Sequence, residues 1–139
     1  MEQYPLDPAS RLMIPFERHP RKYQAIDLLC RERGEPVYAV ADGIVDFRGR
    51  YMVRVQHDTE AGIRRSVYTH IVIDDDIKKG DDVDASDVLG RCDTIGVPRP
   101  HRFPRGVLHF EWQKQHRQYF LRINPLNGKR KKEENFPDS

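Results

Sequence analysis

Cysteine is nearly missing from this chain. Cys30 and Cys92 stand alone and far apart, in no C-x-x-C arrangement. That excludes a small cysteine-framed scaffold and a zinc ribbon, and we read the pair as two buried free thiols ahead of the alternative, a disulfide between them. The opening "MEQYPLDPAS" has neither a basic n-region nor an apolar h-region. The expectation is therefore cytoplasmic synthesis without a signal peptide, followed by retention or release as part of a virion or tail-like particle. No apolar run approaches the roughly 20 residues that cross a bilayer, so no membrane insertion is expected. Excess charge of one sign is also lacking, with 24 Lys+Arg against 22 Asp+Glu and a formal net charge of +2, so steering by overall charge is weak. The basic residues cluster instead, in "RHPRK" (18–22), "RPHRFPR" (99–105) and "KRKK" (129–132). No regular interleaving of stacking aromatics accompanies them, so we read solvated surface or tail, with an anionic partner second and no nucleic acid expected. Long helix-period patterns are scarce too.

What the sequence does contain is short strand-like segments separated by turn residues. "AIDLLC" (25–30) is the first to read as a core strand, after a mixed stretch of prolines and short apolar pieces. "VYAV" (37–40) and "IVDF" (44–47) flank an "ADG" corner, and "YMVRVQH" (51–57) alternates as a half-buried strand does. "RRSVYTHIV" (64–72) returns, "VLGRCDTIG" (88–96) resumes strand character, and "VLHFEWQ" follows a Pro/Arg-rich loop. The acidic run of residues 74–87 lacks the D-x-D-x-D-G spacing of a calcium loop and reads as a solvated connection. The class is mostly β, a small antiparallel sheet or sandwich domain. We divide the chain into an N-terminal arm (1–22), one domain (23–126) and a basic and acidic tail (127–139).

The six histidines are His19, His57, His70, His101, His109 and His116, and no two have helical i, i+4 or strand i, i+2 spacing. A site would have to be assembled from separate strands. Asp27, His70 and His109 each lie in an apolar strand setting, which suits either a site or a hydrogen-bonded core residue. Glu111, two places beyond His109, suits a carboxylate that orients it or the polar face of an edge strand. Tyr68 suits a groove wall or the core, and the lone Trp112 a core or interface anchor.

The order "AIDL … GEPVYAVADGIVDF … VRVQHD … VYTHI … IKKGDDV … VLGRCDTIG … LHFE … INPL" resembles the lysostaphin/LytM-type zinc endopeptidases, which hydrolyse peptide cross-bridges of bacterial peptidoglycan. The resemblance implies their fold, of the duplicated-hybrid-motif type, over about residues 23–126. It also implies a zinc site from H-x-x-x-D and the second histidine of H-x-H, with two nonligand histidines from Y-x-H and the first place of H-x-H. Asp27 and His109 match two ligands and His70 one nonligand histidine. Tyr23 stands at the first ligand position and Val107 at the other nonligand position. Tyr23 through its phenolate, or His19 on a looped segment, is the candidate third ligand, and His101 the candidate replacement for the missing histidine. With two positions replaced, the expectation is weak or absent zinc and a structural or interaction module. Its expected partners are neighbouring subunits of an assembly, peptidoglycan, or a second copy of itself. An active peptidoglycan endopeptidase using substitute ligands, and a peptidoglycan-binding module that does not cut, are the alternatives.

Overall fold

A computed structural model describes residues 1–7, 11–19 and 24–126. Strand predominates among the described residues and helix is limited to short 3-10 turns, which makes the class mostly β. The strands are β1 (Arg11–Ile14), β2 (Ile26–Leu29), β3 (Pro36–Tyr38), β4 (Gly43–Arg48), β5 (Met52–Thr59) and β6 (Gly62–Thr69). They continue as β7 (Ile71–Ile73), β8 (Asp82–Val83), β9 (Val88–Cys92), β10 (Val107–His116) and β11 (Tyr119–Ile123). The larger sheet runs β1-β2-β10-β6-β5-β4-β8, with β11 added beside β10, and the smaller runs β3-β9-β7; every pairing is antiparallel.

Period-two alternation builds the core from these strands. Ile26 and Leu28 of β2, Leu108, Phe110 and Trp112 of β10, and Val53 and Val55 of β5 join Val37, Leu89, Ile71 and Ile73 of the smaller sheet in one apolar cluster. Tyr4 and Leu6 are buried in the same cluster. Gly90 lets the smaller sheet close, because a Cβ there would run into the Val72 carbonyl. Among the described residues no helix is long and apolar enough to cross a membrane.

Two expectations are corrected. The segment 64–72 is not one strand, because His70 takes a left-handed conformation (φ 74°) and sends the chain from the larger sheet into the smaller. The cysteines are not free: Cys30, just after β2, is bonded to Cys92 at the end of β9, with Cα atoms 6.5 Å apart. Their wide separation in sequence hid the pairing, which the packing of the two sheets creates. Tyr23 and the 127–139 tail lie outside the described residues.

Candidate metal centre

Strand register places the first two site residues. Antiparallel pairing sets His109 of β10 opposite Asp27 of β2. Because alternate residues face opposite ways, Leu108, Phe110 and Trp112 enter the core while Val107, His109, Glu111 and Gln113 share the other face. His109 Nδ1 thus lies 2.8 Å from Asp27 Oδ1.

The third residue arrives from the segment before β2. A 3-10 turn at Phe16–Arg18 ends at His19, whose backbone N–H donates to the Phe16 carbonyl. Its imidazole meets the His109 ring edge-on at 5.2 Å and puts Nε2 3.5 Å from Asp27 Oδ1. One donor atom from each of His19, Asp27 and His109 lies within 4.8 Å of the other two. His19 Nε2 is buried and makes no hydrogen bond among the described residues. A buried polar atom without a hydrogen bond costs about 1–3 kcal/mol, so it calls for an explanation. A cation supplies one. Tetrahedral zinc with bonds of about 2.0–2.1 Å spaces its ligand atoms about 3.3 Å apart, close to the His19–Asp27 separation, and two imidazoles with a carboxylate are a zinc-type donor set. The residues present fit a zinc ion.

The surrounding groups shape the charge of this cluster. Burial pushes His109 down, but hydrogen bonds to Asp27 and Glu111 outweigh it and raise the imidazole to about 9. Glu111 is only 8% exposed, with Oε2 3.4 Å from His109 Nε2. Burial would raise the Glu111 carboxyl, yet its hydrogen bonds to His109 and Gln113 and the charge of Arg122 hold it below the ordinary value. Burial keeps His19 below its ordinary value as well.

His70 stands beside the cluster, its ring 6.2 Å from that of His109. Its Nδ1 contacts the Ile95 carbonyl at 3.0 Å, and since a carbonyl only accepts, Nδ1 carries the proton and Nε2 the lone pair. The Tyr51 carbonyl accepts from the His70 and Ile71 backbone N–H groups, and the Tyr51 ring stacks on His70 at 6.0 Å. These contacts stabilise a left-handed backbone that costs a non-glycine residue about 1 kcal/mol or more. Burial holds the His70 imidazole below its ordinary value, so it is neutral at pH 7.

Not every candidate joins the cluster. Val107 shares the face of His109 but brings only methyl groups and is 4% exposed. Tyr68 belongs to the core instead of a groove: it is fully buried, stacks edge-on with Phe110 at 5.4 Å, and its Oη accepts from the Val40 N–H. Trp112 also packs inside, against His57. His101 is exposed on the turn Pro100–Arg102 and is not among the three gathered donors. Tyr51 and the Ile95 carbonyl escaped sequence reasoning, because neither carries a motif and each acts at least in part through its backbone carbonyl.

Comparison with known proteins follows this geometry. The model of the family described as peptidase family M23 matches residues 21–121. Csd3 of Helicobacter pylori is similar at 27% identity and a TM-score of 0.62, over 88% of this chain and 33% of that one. Lysostaphin of Staphylococcus simulans, an antimicrobial peptidase, is similar at 18% identity and a TM-score of 0.65, over 85% of this chain and 48% of that one. The catalytic domain of EnpA, a prophage-encoded M23 protein of Enterococcus faecalis solved as an A109H mutant, gives 21% identity and a TM-score of 0.60, over 84% and 89%. The last two likenesses show the fold alone. The chain spans about a third of the length of Csd3 and about half that of lysostaphin. No curated protein matches the sequence.

Proposed function

Since the chain belongs to peptidase family M23, we propose that it is a zinc-dependent peptidase domain acting on the peptide cross-bridges of bacterial peptidoglycan, with His19 as the third ligand beside Asp27 and His109. The family is usually zinc-dependent. The observation that carries the reading is the buried His19 Nε2 that makes no hydrogen bond among the described residues, 3.5 Å from the carboxylate that also meets His109. Three protein ligands with a place left for water make the usual catalytic form of a zinc site.

When bound, zinc at such a site brings the pKa of a bound water to near 7 and polarises a carbonyl. His70 holds a lone pair at Nε2, fixed there by the Nδ1 contact with Ile95, and takes a proton from the attacking water to pass to the departing amine. Val107 offers no donor to the oxyanion. We expect turnover about 10²–10³-fold below that of a site with a second histidine there. The Cys30–Cys92 bridge suits an oxidising compartment or a particle surface, where peptidoglycan is met.

Val107 also favours a second reading. A domain that holds a peptidoglycan peptide or a neighbouring subunit in a particle without cutting has no need of an acid–base pair. One experiment separates them: zinc content of the isolated protein, then release of new amino groups from purified peptidoglycan at full zinc occupancy. Uptake with release, both lost in Asp27→Ala, supports the peptidase. Uptake without release leaves the non-cleaving module, and failure to take up zinc overturns the metal centre.

A further inference from the structure

Glu111 is more than a neighbour of His109. Its two carboxylate oxygens are used differently. Oε1 accepts from Arg122 Nε at 2.8 Å and from Gln113 Nε2 at 2.9 Å, while Oε2 faces His109 Nε2 at 3.4 Å. The hairpin makes this possible: Arg122 of β11 is the cross-strand partner of Gln113 of β10, and Gln113 lies two residues beyond Glu111 on the same face. Two donors converge on one oxygen and leave the other for the imidazole.

We infer that β11 is a working part of the metal centre, with Arg122 and Gln113 acting as positioning residues that hold Glu111 so that it fixes His109 in the tautomer a metal needs. The inference rests on the metal centre proposed above. A histidine can ligate through Nδ1 only when that atom is unprotonated, so the ring proton must sit on Nε2. A carboxylate at Nε2 selects that tautomer and raises the ligand's basicity, and such partners typically change metal affinity by about 10–100-fold. Left alone, Glu111 would be a carboxylate on a flexible side chain. Arg122 is well suited to hold it, because its planar guanidinium stays charged and restricts the carboxylate's rotation. Its side chain is 35% exposed against 10% for Glu111, so it closes the chain of contacts from the solvent side.

The structure thereby assigns a metal-site role to a residue beyond the stretch that matches the family. Arg122→Ala and Gln113→Ala are compared with Arg122→Lys, in the full chain, by chelator-competition titration with zinc alone. The nitrogen chemical shifts of His109 in the zinc-loaded protein give the tautomer, and thermal unfolding gives stability. The expected result is about 10–100-fold weaker zinc binding in Arg122→Ala, a smaller loss in Gln113→Ala, partial rescue in Arg122→Lys, and a second His109 form in the NMR of Arg122→Ala. A wild type that binds zinc with a single His109 tautomer, unchanged in both Ala variants, overturns the inference and leaves the metal centre standing. Weaker binding with the tautomer kept pure also overturns it, because β11 would then be only a structural support. A wild type that takes up no zinc sinks the metal centre itself and the inference with it.

Discussion

Removing the His19 imidazole separates a metal ligand from a residue that merely packs. Structural zinc sites with four ligands release about 10–16 kcal/mol on binding, or roughly 2.5–4 kcal/mol per ligand. His19→Ala should therefore weaken zinc binding by about 10²–10³-fold, with Asp27 and His109 still in place. The metal-free fold should respond much less than it would to an ordinary core truncation. Among the described residues His19 Nε2 is buried without a hydrogen bond, so the substitution removes an atom whose burial costs about 1–3 kcal/mol while losing part of an imidazole's packing. These effects nearly offset, and stability without metal should stay within about 1 kcal/mol of the wild type. The assay is chelator competition with zinc at fixed pH, paired with urea unfolding in excess chelator. Tyr23→Phe is the control, because the sequence order places Tyr23 four residues before Asp27. Equal zinc affinity in His19→Ala and wild type, or a loss in Tyr23→Phe as large as that in His19→Ala, would refute the ligand assignment.

Three further outcomes are expected. Val107→His restores an i, i+2 pair with His109 and should raise peptidoglycan cleavage by about 10²–10³-fold with zinc affinity unchanged, followed as amino-group release; no gain would mean that the groove, not the missing histidine, limits the rate. Opening the Cys30–Cys92 bridge, whose partners are 62 residues apart, should cost about 4 kcal/mol, read as a lower denaturant midpoint in Cys92→Ala than in the oxidised wild type. The pH dependence has a definite sign: His109 is raised from 6.5 to about 9 in the folded, metal-free protein, so its roughly 3 kcal/mol is fully present below pH 6.5 and lost as pH rises through 9. Zinc must displace the Nδ1 proton, so its apparent affinity should rise about tenfold per pH unit up to that point, and a flat titration between pH 7 and 8.5 would contradict the assignment.

The strands were largely legible because alternation is a local signal: "YMVRVQH" and "VLHFEWQ" show β5 and β10 from the chain alone. The same rule failed at His70, where a single left-handed residue breaks a pattern that stays apolar on both sides. Asp27 and His109 were found through motif order, and their register confirms that they meet. His19 was only one of two candidates, since its eight-residue separation from Asp27 does not follow the four-residue spacing of the family. Spacing records distance along the chain, whereas the 3-10 turn at Phe16–Arg18 decides where the imidazole goes. Cys30 with Cys92 and Glu111 with Arg122 were hidden for a related reason: each pair meets only after sheets or hairpins form.

Strand β10 is held by β2 and β6 along its first half and by β6 and β11 along its second. A slip of one residue would turn Leu108 and Phe110 out of the core and drive His109 and Glu111 into it, at a cost no fold of this size could absorb. The strand therefore behaves like a type line locked in its frame: individual letters can be exchanged, but the line cannot be shifted. Chemistry on this face can change only by replacement in situ, one side chain at a time, with the fold left whole. A valine two places from His109 is the kind of edit such a frame permits, and a histidine placed there would find its backbone position already set.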